Sequence, residues 1–356
     1  MSFPFLQPYT GLGNSLQTAQ AGGAGGIGGW VELGRTTLGS AGDDITVSSL
    51  PDKRYYMVLT DLQDTGGSIH AEMRLNGDTG SNYAYRYNNN GGTDVGAGPA
   101  TVMALNPAVQ ASDVFSVGYL SNLSSKEKLH INHCVNQYAA GATTAPHRQE
   151  SVNKHAQTSN PINSVTIREG AGSGDYAIGS EVVVLGWDPA DTHTSNFWEE
   201  LASVELGSAA DTLDSGTFTA KKYLWVQTYI KATGGTVEPD SRFNSDSGSN
   251  YADRFSINGG ADGTGTSISQ GVRGSGVAYS AFFNDFIINN SANEKLVIRH
   301  LNYPPASGAG TAPSRRETVG KWANTSNQIT SIQWVDNSGT GAQMDTGSMI
   351  KVWGAD

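Results

Sequence analysis

The phrase RLNGDTGSNYAYRY, which starts at Arg74, returns as RFNSDSGSNYADRF at Arg242, 168 residues further along the chain. With Trp30 and Trp198 as starting points, that offset runs without a gap past this phrase: LGSAGD at 38–43 meets LGSAAD at 206–211, and Lys53, Arg54 and Tyr55 meet Lys221, Lys222 and Tyr223. After a one-residue slip, EKL at Glu127 answers EKL at Glu294, and His133 answers His300. TAPHRQESVNK from Thr144 then meets TAPSRRETVGK from Thr311, and LGWD at Leu185 regains the first offset against WGAD at Trp353. An interval this long is no solenoid period, so a whole domain has been duplicated in tandem. The units are 30–188 and 198–356, joined by a polar, proline-led connector at 189–197 and preceded by residues 1–29. Each unit of about 160 residues is long enough to bury a core of its own.

Inside a unit, apolar residues alternate. In KYLWVQTYIKATGG, Leu224, Val226 and Ile230 fall on one face and Tyr223, Trp225 and Tyr229 on the other, and a double glycine ends the run. Comparable runs at 55–59, 114–120, 165–167, 181–185 and 296–298 are bounded by Gly, Asn, Asp or Ser, and no segment carries a capped helical period. About eight short strands per unit predict an all-β chain: two tandem antiparallel β-sandwiches of jelly-roll-like type, preceded by an extended N-terminal arm. The 45 glycines and a charged fraction of only 15% suit short strands joined by many turns.

A formal charge of −11 with no basic cluster argues against nucleic acid, and no apolar run approaches the ~20 residues of a membrane span. The start has neither the cationic residues nor the apolar block of a secretory signal, so synthesis is expected in the cytoplasm. Cys134 is the sole cysteine, which leaves no disulfide framework and no thiolate metal site within one chain. No nucleophile elbow, zinc-protease helix, phosphate loop or dinucleotide fingerprint is present, and no cofactor is expected.

In the repeated phrase, Gly77, Asp78, Thr79, Gly80 and Ser81 are residues that tolerate positive φ, and the simplest expectation is a hairpin tip. A weaker alternative is a calcium loop built on Asn76, Asp78, Asn244 and Asp246, although no bidentate Glu follows at the required distance. The tyrosines that follow, Tyr83, Tyr85 and Tyr251, are candidates for outward or intersubunit contacts. Arg148 and Glu150, with Arg315 and Glu317, share one strand face in each unit and are expected to form a solvated ladder or a subunit contact rather than a catalytic pair. His130 and His133 are close in sequence, but a zinc site needs two further ligands that the sequence does not place nearby.

Residues 1–29 do not recur and carry no charged side chain; Phe3, Phe5, Leu6 and Tyr9 cluster near the tip, ahead of a glycine-rich stretch. Such a segment is expected to dock into a groove or onto a sheet edge of another subunit.

The phrases GRTTLGSAGD, RLNGDTGSNYAYRY, NEKLVIRH and GTAPSRRETVGKWANTSNQIT, with the closing VWGAD, resemble a β-sandwich module of virion proteins from tailed bacteriophages, especially marine ones. The resemblance covers nearly all of 30–356 and rests on turn and strand phrases rather than on catalytic residues. It implies a non-enzymatic structural virion protein, made in the host cytoplasm and placed in the virion. The expected role is a capsid decoration or cement protein anchored by its arm to the major capsid protein or to tail subunits. The alternative is a tail or baseplate appendage that binds host glycan. The doubling favours a homo-oligomer, and a trimer would present six similar domains.

Overall fold

The computed structural model describes residues 29–110, 112–170, 176–191, 195–234, 237–267, 270–271, 280–339 and 341–356. The arm residues Phe3, Phe5, Leu6 and Tyr9 lie outside them. The described chain is entirely β. Domain 1 runs through β1 (Val31–Thr37), β2 (Asp44–Val47), β3 (Tyr55–Leu62), β4 (Ile69–Leu75), β5 (Tyr83–Asn89) and β6 (Val95–Ala100). It continues with β7 (Met103–Gln110), β8 (Val114–Ser121), β9 (Lys128–Asn136), β10 (His147–His155), β11 (Val165–Glu169) and β12 (Glu181–Trp187). Domain 2 repeats the series as β13 (Glu199–Glu205), β14 (Thr212–Asp214), β15 (Tyr223–Lys231), β16 (Pro239–Phe243), β17 (Tyr251–Ile257) and β18 (Gly263–Ser267). Its second half is β19 (Gln270–Gly271), β20 (Ser280–Ile288), β21 (Lys295–Tyr303), β22 (Ser314–Trp322), β23 (Ile332–Asp336) and β24 (Met349–Ala355).

Each domain is a sandwich of an eight-stranded and a four-stranded antiparallel sheet, in the orders β1-β12-β3-β8-β9-β10-β5-β6 and β2-β11-β4-β7, which domain 2 reproduces strand for strand. The chain crosses between sheets at β1–β2, β2–β3, β3–β4, β4–β5, β6–β7, β7–β8, β10–β11 and β11–β12, a jelly-roll-like winding. Twelve described strands per domain exceed the expected eight because several, such as β6 (VGAGPA), are glycine-rich and show no apolar alternation. Pro99 is tolerated in β6 because that strand is a sheet edge, where a missing N–H breaks no ladder.

Alternation places the cores. Leu224, Val226 and Ile230 of β15 meet Phe243, Ile332 and Trp334 of the small sheet, and in domain 1 Tyr56, Val58 and Leu62 meet Ile45, Met73 and Ile167. The opposite faces are solvated only in part. Met57, Leu59, Phe115, Val117, Val183 and Leu185 of domain 1 form a third core with Tyr223, Phe286, Leu296, Ile298, Val319 and Trp353 of domain 2. The two large sheets therefore lie face to face, and the layers run small, large, large, small. Phe197, which ends the connector, and Trp198, which opens domain 2, join this seam: Phe197 N–H bonds Trp30 O at 2.7 Å, and the rings of Phe197 and Trp198 meet at 5.0 Å.

A charged cluster completes the seam. Lys222 reaches Asp61 at 3.0 Å and Glu181 at 3.2 Å in domain 1, and the Tyr223 hydroxyl donates to Glu181 at 2.8 Å. Burial works to raise the Glu181 carboxyl, but the bond from Thr37, the Lys222 charge and the Tyr223 bond outweigh it and hold it below the ordinary range.

The repeated phrase is not a hairpin tip. β4 belongs to the small sheet and β5 to the large one, so 76–82 is an arch that carries the chain across the sandwich edge. Local residue types report a turn, but which partner each flanking strand pairs with is a long-range choice. Asn76 and Gly77 both take positive φ, 57° and 62°, and so do Asn244 and Ser245 at 51° and 57°. Gly77 is free to do so, whereas Ser245 adopts the left-handed region against its Cβ.

Candidate functional site

The arch consumes its own polar groups. Asp78 Oδ1 accepts Gly80 N–H at 2.8 Å, Asp78 Oδ2 accepts Asn82 Nδ2 at 2.8 Å, and His155 Nε2 closes on Oδ2 at 2.8 Å. In domain 2, Asp246 accepts Gly248 N–H at 2.8 Å and Asn250 Nδ2 at 2.9 Å, and Trp322 Nε1 replaces the histidine at 2.7 Å. Asn76 Oδ1 takes Asn163 N–H at 2.7 Å, and Asn244 Oδ1 takes Thr330 N–H at 2.8 Å. The four oxygen donors considered for calcium thus already face N–H groups, which an ion would have to displace.

Two of the three candidate tyrosines are not surface groups. Tyr83 is 2% exposed and Tyr251 0%, and each hydroxyl reaches back over its arch to the aspartate carbonyl at 3.1 Å. Both rings belong to the sandwich cores of their domains. Tyr85, two residues on, is half-buried on β5 beside Tyr87, with ring centres 6.0 Å apart.

Of the Arg/Glu pairs, the one in domain 1 is not a solvated ladder but lies at the seam between the domains, whereas the Arg315 side chain of domain 2 is largely exposed. Arg148 is buried and binds Glu150 at 2.7 Å and, across the seam, Asp262 of domain 2 at 2.7 Å. Arg315 pairs with Glu317, and the buried Lys321 donates to the carbonyls of Gln137 and Ala139 in domain 1. Its repeat counterpart Lys154 is exposed and pairs with Glu127 at 3.2 Å.

His130 and His133 are three positions apart on β9 and therefore face opposite sides of the sheet. His130 points into the sandwich and bonds Asn153 Nδ2 at 3.0 Å. His133 points to the seam, where it meets its own repeat counterpart: the His133 and His300 rings are 4.3 Å apart at 68°. Each histidine sits directly opposite a glutamate on the neighbouring strand, His133 opposite Glu150 and His300 opposite Glu317. Equivalent histidines of the two domains thus meet at the seam, although the patches around them differ between the domains. His133, Glu150 and His300 have ligand atoms all within 4.8 Å, the one such grouping among the described residues. The void they share with Arg148 and Glu317 is about 10 Å³.

Burial first, then the charges around it, pushes His300 down to about 3; burial also lowers His133, helped by Arg148 and opposed by Glu150. Both rings are neutral near pH 7. Burial, together with the Glu150 charge, raises the Glu317 carboxyl. The sequence shows that His133 and His300 are equivalent, but not that they touch.

The domains part company on one face. Leu129, Ile131 and Val152 are 56, 51 and 51% exposed, while their counterparts Leu296, Ile298 and Val319 are 1, 3 and 2% exposed in the seam. Leu129, Ile131 and Val152 line an open groove with Tyr85, Arg86 and Lys154. Domain 2 has a smaller bare counterpart in Tyr229 and Phe282.

No protein-family model matches the chain, and no curated protein matches it. Among solved structures, domains LG4-5 of the mouse laminin alpha1 chain align over 93% of this chain and 91% of that one, at 8% identity and a TM-score of 0.20. A FadL homologue of Pseudomonas aeruginosa aligns over 86% and 91% respectively, at 9% identity and a TM-score of 0.10. At that level of superposition neither likeness bears on fold or function.

Proposed function

We propose that this chain is a structural virion protein of a tailed bacteriophage, a decoration or cement protein on the head. It is held there by Phe3, Phe5, Leu6 and Tyr9 and self-associates through its sandwiches. The observation that carries the assembly role is the bare sheet face of domain 1. Leu129, Ile131 and Val152 form a contiguous apolar surface, and the same positions in domain 2 are already used for sheet-on-sheet contact. A face that packs in one copy of the module and is open in the other favours a second chain as its cover. The resemblance of the repeated phrases to phage virion modules supplies the setting, and those phrases serve as arches and strands here, in keeping with a resemblance of architecture. The role has no turnover, and Arg148 ties domain 1 to domain 2 through Asp262.

The alternative, a tail appendage that grips glycan through tyrosines, loses support because Tyr83 and Tyr251 are interior. Counting this protein against a capsid protein in purified particles separates the two: hundreds of copies fit a shell, about a dozen fit a tail. Deleting residues 1–29 should leave both sandwiches folded and abolish loading onto particles. Loading that persists without the arm overturns the anchor.

A further inference from the structure

The seam holds chemistry that the assembly role does not use. We propose that His133, His300 and Glu150 bind one divalent transition-metal ion of the zinc class, which clamps domain 2 to domain 1. The donor set is two imidazoles and a carboxylate, a combination suited to zinc and its borderline neighbours and poorly suited to calcium. Ligand atoms within 4.8 Å stand somewhat wider than the roughly 3.4 Å edge of a tetrahedral zinc site, a difference that side-chain rotation can close. The shared void of about 10 Å³ is close to the volume that one water or one ion needs.

A second observation points the same way. His133 Nδ1 is buried and has no hydrogen-bond partner, an arrangement that costs stability unless something occupies it. The surrounding charge also permits a cation. Glu150, Glu317 and Asp262 match Arg148, Arg254 and Arg315 in number, and Arg148 and Arg315 are engaged in ion pairs with those carboxylates. The fourth position is open to water or to Glu317, which lines the same void. A groove bordered by Arg86, Asp94, Ile131, His133 and Glu150 gives the ion a path in from solvent.

Tandem duplication explains how such a site arises. One histidine on the outer face of a module is a single ligand, and two copies packed with their outer faces together bring two ligands to one place without any new residue. His300 is the sole histidine of 198–356, so one substitution removes domain 2's whole imidazole contribution.

The test uses the full chain, freed of metal with a chelator, titrated with Zn2+ and separately with Co2+, whose absorption reports nitrogen and oxygen ligation. One ion per chain is expected, with a higher unfolding temperature in Zn2+ that a chelator reverses. His300→Gln should weaken Zn2+ at least 100-fold and Glu150→Gln about 10-fold, while His70→Gln, on β4 in the small sheet, should change nothing. Should His300→Gln fail to fold, Glu150→Gln and the Co2+ spectrum of the parent chain still decide. Absence of stoichiometric binding, or an affinity that His300→Gln and Glu150→Gln leave unchanged, overturns the assignment. Neither outcome touches the virion role, which particle counting tests separately.

Discussion

Leu129 and Leu296 are the same residue at the same place in two copies of one module, yet one is 56% exposed and the other 1%. Replacing each with alanine makes the molecule its own control. Leu296 is wholly buried in the seam among Tyr223, Phe286 and Trp353, so its removal forfeits the transfer of a leucine side chain and leaves a cavity, together about 2–5 kcal/mol. Leu129 keeps more than half of its surface in water and can leave no closed cavity, so its loss should cost about 1 kcal/mol or less. Urea unfolding at a dilute concentration, followed by the fluorescence of seam residues Trp225 and Trp353, measures both. Ile298 against Ile131, and Val319 against Val152, supply two further pairs in the same direction, with smaller gaps for valine. If the two leucine variants lose stability within about 0.5 kcal/mol of one another, the seam does not hold the domains as described. A penalty at Leu129 that appears only as the protein is concentrated marks the bare face as covered by a second chain.

Asp113, which accepts Asn293 Nδ2 from domain 2 at 2.7 Å, is pushed up to about 6 by burial, with the Asp61 and Asp64 charges adding to the effect. A carboxyl raised in the folded state contributes stability below the ordinary aspartate range and loses it as pH rises through about 6, so stability should fall by up to about 3 kcal/mol between pH 4 and 7. Asp113→Asn should flatten that slope in urea midpoints measured at both ends. At the domain 2 arch, Trp322→Phe removes the N–H donor to Asp246 while keeping an aromatic ring, and about 1–3 kcal/mol of stability should go with it. Millimolar Ca2+ should leave the unfolding midpoint of the parent chain unchanged; a rise abolished by Asp78→Ala or Asp246→Ala would reinstate a calcium loop. In the domain 2 sandwich, Arg299 grips Asp285 through two bonds of 2.9 and 2.7 Å, and Arg299→Met should cost about 3–5 kcal/mol by stranding a buried carboxylate. Calorimetry should find most of that cost removed in the double variant with Asp285→Asn.

Period-two alternation in KYLWVQTYIK separates Leu224, Val226 and Ile230 from Tyr223 and Trp225, and those two sets do enter different cores. It could be read because side-chain direction along a strand is fixed by the backbone alone. The arch was legible as a turn and misread as a hairpin. Asn76 and Gly77 declare a change of direction, but whether the outgoing strand pairs with β4 or crosses to the other sheet depends on β10 and β11, far along the chain. The tyrosines failed for a related reason: one strand step decides inside from outside, and the arch geometry that sets the phase is tertiary.

By itself, then, the sequence determined two copies of one all-β module, most of their strand positions and the inward face of each clear alternation, because these follow from covalent spacing and from burial within a module. Only the tertiary structure decided that the outer faces pack as a third core, that Arg148 and Lys321 cross it, and that His133 meets His300. Residues 167 positions apart carry no local mark of their contact. Nor can repetition reveal asymmetry: Leu129 and Leu296 have like neighbours in the chain, and one is buried only because the other domain's sheet lies across it.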